Sequence, residues 1–113
     1  MIYKTILSII AVITVMAMAG LANAEYKPRV HEVNQRLKNQ HNRVQNGVNN
    51  GSLTQHQANK IDRQDARINQ EKKDMMANDG GHLTKGDQRA LNQQENHVSN
   101  EINRDERRNT AGQ

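Results

Sequence analysis

The chain has no cysteine, no tryptophan and no phenylalanine, and only two tyrosines in 113 residues. Without cysteine there is no disulfide, the usual reinforcement of a small exported domain. There is also no thiol nucleophile and no thiolate metal ligand. With so few aromatic rings, the stacking surfaces that hold single-stranded nucleic acid are missing. One-sided charge is missing too. Sixteen basic and twelve acidic residues give a formal charge of +4, and the two signs alternate along the chain. Interleaving of this kind marks solvated helix faces, not a nucleic-acid footprint. Arg104, Arg107 and Arg108 cluster near the end, but Asp105 and Glu106 interrupt them. Basic residues there also complement a helix dipole.

The one long apolar run lies at the start. Lys4 is followed by uncharged, mostly aliphatic residues from Ile6 to Ala19, then Gly20, then Ala22-Asn23-Ala24. These are the charged, apolar and small-x-small parts of a secretory signal. The run falls short of the roughly 20 residues a membrane-spanning helix needs. Residues 1–24 are therefore expected to be a signal peptide, with the mature chain beginning at Glu25. No acylatable cysteine follows. The expected compartment is periplasmic or secreted, with no membrane span after cleavage.

The remainder is enough for one small domain, and its most informative feature is repetition. Gly51-Ser52-Leu53-Thr54 recurs 30 residues later as Gly81-His82-Leu83-Thr84. Behind it, Ile61 matches Leu91, Gln64 matches Gln94, Asp65 matches Glu95, Ile68 matches Val98 and Glu71 matches Glu101. A partial copy precedes, with Leu37, Gln40, Arg43 and Val44 falling like Ile61, Gln64, Arg67 and Ile68. Apolar residues recur at three-, four- and seven-residue steps, a narrow helical stripe. No stretch alternates as a strand would. The spacing predicts an all-α fold of three antiparallel helices, helical hairpin repeats packed as a small bundle, over 28–48, 54–77 and 84–107. The domain would span 25–108, with 109–113 as a disordered tail. Packing is expected from Val33, Leu37, Val44, Ile61, Ile68, Leu91, Val98 and Ile102.

Thr54 followed by Gln57, and Thr84 followed by Asp87, have the spacing of capping boxes. Leu53 and Leu83 precede the caps as staples, and Asn49-Asn50-Gly51 and Asn78-Asp79-Gly80-Gly81 tolerate the left-handed angles at which helices end. Aligned on Leu53, the first loop also has the outline of a calcium-binding loop. Its ligand places then hold Asn46, Val48, Asn50, Thr54 and Gln57, and those of the second loop hold Met76, Asn78, Gly80, Thr84 and Asp87. Calcium needs several carboxylates, and Asp87 alone is acidic, so capping accounts for the motif without metal. None of the five histidines forms a His-x-x-x-His pair. By helical rise, His41, His97 and Asp65 fall at similar heights, and they are the metal candidates. No Gly-x-Ser-x-Gly elbow is present, and Ser52 and Ser99 lack His/Asp partners. No catalytic residue, no cofactor and no enzymatic activity are expected.

Asn50-Gly51-Ser52-Leu53-Thr54, the Asp79–Thr84 loop, and Arg89, Gln93, Gln94, Asn96, Val98, Ser99 and Ile102 together resemble small exported proteobacterial helical proteins of unknown function with Gly-x-Leu-Thr loops. That resemblance covers nearly the whole mature chain and implies no activity. Leu53-Thr54-Gln55-His56-Gln57 is also similar to the Leu-Thr-x-x-Gln motif of the periplasmic stress proteins typified by Spy and CpxP. This second resemblance implies an all-helical dimer and ATP-independent chaperone or metal-stress roles. In the second copy here, Asp87 stands in the Gln place. The reading is of an exported, non-enzymatic helical protein acting by protein–protein interaction or self-association, with a protein partner or a second copy as ligand. The alternatives are a Spy/CpxP-like stress chaperone and a periplasmic metal-binding or metal-stress protein using histidines.

Overall fold

The computed structural model describes residues 27–112. The expected signal peptide, Glu25 and Gln113 lie outside the described residues. The described residues form three α-helices and no strand: α1 (Pro28–Asn49), α2 (Gln55–Asn78) and α3 (Lys85–Ala111). Pro28 opens α1, where its missing N–H and fixed φ cost nothing. Thr54 and Thr84 stand just before α2 and α3 as N-caps. In each box the threonine hydroxyl accepts from the backbone N–H three residues on, and the Gln57 or Asp87 side chain accepts from the threonine N–H.

The turns use glycine where the backbone requires it. Gly51 (φ 81°), Gly80 (φ 67°) and Gly81 (φ 88°) are left-handed, which L-residues with a Cβ avoid. They bring Leu53 N–H to Gly47 O at 2.9 Å and Gly81 N–H to Met76 O at 2.7 Å, so carbonyls left over at the helix ends find donors.

The final helix differs from its expected limits. The sequence placed 109–113 in a disordered tail, yet α3 continues to Ala111. The reason is a tertiary anchor. Asn109 Nδ2 donates to Ser52 O at 2.9 Å and to Gln57 Oε1 at 2.6 Å. The end of α3 is thereby tied to the α1–α2 turn.

Inter-helix bonds give the topology. Pairs between α1 and α3 keep an offset of 54 to 60 residues, from Lys27 with Gly81 to Arg43 with Asn103, so these helices run parallel. Lys72 pairs with Asn34 of α1, and Lys60 with Glu101 of α3, so α2 runs antiparallel to both. The core between them is Val33, Val44, Leu53, Ala58, Ile61, Ile68, Leu83, Leu91, Val98 and Ile102. Leu37 packs at its edge, partly buried, with Val30, Val48, Met75 and Met76. Leu53 and Leu83, each 3% exposed, close the core at its two ends.

Candidate functional site

Not every inward position is apolar. On α3, Glu95 lies four residues after Leu91 and three before Val98, so it falls on the stripe. On α2, Asp65 sits between Ile61 and Ile68, and Lys72 follows one heptad after Asp65. On α1, Gln40 sits between Leu37 and Val44. Helical spacing thus turns acids, an amide and an ammonium into the seam along with the aliphatics.

Pairing across the helices puts three of them on one level. Gln40 Nε2 donates to the backbone carbonyl of Glu95 at 2.6 Å, which fixes α1 against α3. His41 Nδ1 lies 3.8 Å from Asp62 Oδ1, and Lys72 reaches Asn34, so Asp65 of α2 comes level with Gln40. Glu95 is 1% exposed and Gln40 5% exposed. Both carboxylate oxygens of Glu95, both of Asp65, and Oε1 of Gln40 are shielded from water and accept no hydrogen bond from any described residue. Gln64 Oε1 and Asn92 Oδ1 are in the same condition. All these atoms are acceptors, and an unpaired buried acceptor costs about 1–3 kcal/mol, more when charged.

The electrostatics follow from that placement. Burial, with Asp65 and Glu32 nearby, pushes the Glu95 carboxyl from 4.5 up to about 7, against the pull of Arg36 and Lys72. Burial, and then Asp62, raise Asp65 from 3.8 to about 6, opposed by His41. Next to this layer, Lys72 donates to Asn34 Oδ1 at 2.5 Å and to Asn69 Oδ1 at 2.8 Å. Burial first, then Lys73, lower its affinity for the proton, while Glu95 works the other way. Above it, Glu101 is 4% exposed. Burial pushes its carboxyl up, but the hydrogen bonds of Lys60 and Gln64 and the charge of Arg104 hold it below the ordinary glutamate value.

Outside the seam, two open grooves flank the layer. One, between α2 and α3, has a volume of about 470 Å³, with Ile68, Ala90 and Val98 on its floor and Gln64, Arg67 and His97 among its rim residues. The other, between α1 and α2, has a volume of about 510 Å³ and includes Leu37, His41, Asp62, Asp65 and Ala66.

These grooves separate the proposed metal ligands. His41 and Asp65 line the α1–α2 groove, and His97 lines the α2–α3 groove. Equal height on the bundle axis did not bring them onto one side. Among the described residues no group of three or more His, Asp or Glu is placed to hold a metal ion. The three do not form a metal centre. The capping residues Thr54, Gln57, Thr84 and Asp87 bond to one another within their own loops and present no further site. Sequence reasoning passed over Glu95, Gln40 and Lys72 as buried groups. The signal was present in their four-three spacing from Leu91, Leu37 and Ile68, which puts them on the apolar stripe.

No family model, no curated protein and no solved structure matches the chain. Among the described residues, no helix is long and apolar enough to cross a membrane.

Proposed function

We propose that the chain is an exported, non-enzymatic helical protein that acts by binding protein, whether a partner or a second copy of itself, at the α2–α3 groove. The observation that carries this reading is the composition of that groove. Ile68, Ala90 and Val98 make an apolar floor, and Gln64, Arg67, Gln93, Gln94 and His97 make a polar rim. An apolar centre within a polar rim is the anatomy of a protein interface, and a furrow between two helices suits the apolar face of a third. The periplasmic or secreted location rests on the leader pattern from Lys4 to Ala24. The chaperone alternative rests on the resemblance of Leu53-Thr54-Gln55-His56-Gln57 alone, in which Thr54 and Gln57 cap α2.

Two measurements test the proposal. Intact mass of the protein recovered from the producing cells should correspond to a chain starting at Glu25; a full-length mass removes the export claim. A photo-reactive residue in place of Gln93 should give a discrete protein adduct in those cells or a dimer in sedimentation, and Ala90→Arg should abolish it. A monomer at about 100 µM that forms no adduct would reject contact through this groove.

A further inference from the structure

We propose that Gln40, Asp65 and Glu95 form a proton-binding layer inside the bundle, so that the layer holds the fold tightest in acidic surroundings and loosens as the pH rises to neutral. Ionised carboxylates and amide oxygens only accept, and the layer presents five such atoms that meet neither water nor a described donor. Donors of Gln40, Lys72 and Arg36 are engaged elsewhere. Gln40 Nε2 holds the Glu95 carbonyl, and Lys72 Nζ holds Asn34 and Asn69. The Arg36 guanidinium is engaged with Glu32 at 3.3 Å and Asn96 at 3.2 Å. A proton on Glu95 or Asp65 supplies what is missing, because a neutral carboxyl carries an O–H that can donate to a bare oxygen. It also removes a buried charge, the costlier of the two defects.

The charged groups around the layer do not reverse this. From α1, Glu32 and Arg36 face Glu95; from α2, Asp65 and Lys72 do. Asp65 meets Asp62 on its own helix, His41 from α1 and Glu95 from α3. Each acid therefore has neighbours that raise and neighbours that lower its hold on the proton, and burial is the largest cause for both. Glu95 rises to about 7 and Asp65 to about 6.

The sign follows from linkage. Both acids bind protons more tightly in the fold than in the unfolded chain, so stability falls as pH rises from the ordinary carboxyl range to those raised values, then levels off. Water reaching an ionised Asp65 would enter between α1 and α2, the groove that Asp65 lines.

Urea unfolding of the protein, followed by circular dichroism between pH 5 and pH 8, tests the proposal. The folded-to-unfolded ratio should fall by several hundredfold across that range, about 70-fold from Glu95 and about tenfold from Asp65. Glu95→Gln keeps the shape and removes the ionisation, so it should flatten the profile at least about tenfold, with Asp65→Asn giving a smaller flattening. Carboxyl-carbon NMR titration of the unsubstituted protein gives an independent readout should either variant fail to fold. Titration of Glu95 at the ordinary glutamate value, or a midpoint that stays level or rises with pH, overturns the proposal. So does a calcium or magnesium salt restoring full stability at pH 8 to the parent but not to Glu95→Gln, which would make the layer a cation site.

Discussion

Lys60 Nζ lies 2.9 Å from Oε1 of Glu101, and the two ends of this bond live in different media: the lysine side chain is 55% exposed and the glutamate side chain 4%. The lysine can shed its partner into water, but the glutamate cannot. Lys60→Met should therefore destabilise the bundle by about 2 kcal/mol at neutral pH, the cost of an uncompensated hydrogen bond to a buried charge. Glu101→Gln should cost less, because no charge is left behind. The pH dependence runs opposite to that of the central layer. Glu101 is held below its ordinary value, so its contribution is present above the ordinary glutamate value and is lost as pH falls through the folded one. Denaturant midpoints of both variants should converge on the parent only once the pH has fallen well below the ordinary glutamate value.

The two capping boxes differ in one respect that can be measured. Gln57 Oε1 accepts from Thr54 N–H and also from Asn109 Nδ2 at 2.6 Å, so the first box is braced by the end of α3. Thr54→Ala and Thr84→Ala should each cost about 1 kcal/mol. Asn109→Ala should lower stability, and hydrogen exchange should show the last turn of α3 opening. In double-mutant cycles Asn109→Ala should couple with Thr54→Ala and add independently to Thr84→Ala. Coupling to both, or to neither, would contradict the anchor.

Two glycines predict opposite outcomes for the same substitution. Helix propensity favours alanine over glycine by up to about 1 kcal/mol. At Gly86 an added Cβ meets nothing nearer than Thr84 Oγ1 at 3.7 Å. Gly86→Ala should be neutral to stabilising. At Gly47 the same carbon would stand 2.6 Å from Leu53 Cδ1 and 2.8 Å from its Cγ. Leu53 is 3% exposed and closes the end of the core, so it cannot swing away freely. Gly47→Ala should destabilise by about 1–3 kcal/mol through overpacking, and Leu53→Ala in that background should recover part of the loss. Thermal unfolding midpoints decide both.

The core is small, ten buried apolar residues among the described ones, so truncations should be felt strongly. Ile61, Leu91 and Ile102 are fully buried. Replacing any one with Ala removes about 2–5 kcal/mol, a large share of what a domain this small holds. Leu91→Ala should be largely unfolded at 37 °C by circular dichroism. Leu37→Ala, at the edge of the core, should stay folded.

The helices and turns were legible because local rules write them. Thr54, Gln57, Thr84 and Asp87 cap by contacts within four residues, and Gly51 and Gly81 mark left-handed turns by their own lack of a Cβ. Asn109 was misread because the atoms that hold it belong to Ser52 and Gln57, more than fifty residues away. His97 and His41 share a height but line different grooves, because helical rise gives position along an axis and says nothing of the side of the bundle.

By itself, the sequence determined the periodicity: three amphipathic segments, where each begins, and that glycine turns join them, all set by short-range bonding and steric preference. Only the packing of the three helices decided which polar side chains would be trapped on the seam. Glu95 and Gln40 are polar letters whose burial no local rule announces. They become buried because α1 and α3 lie parallel and α2 closes over them, and water is excluded only once all three are in place.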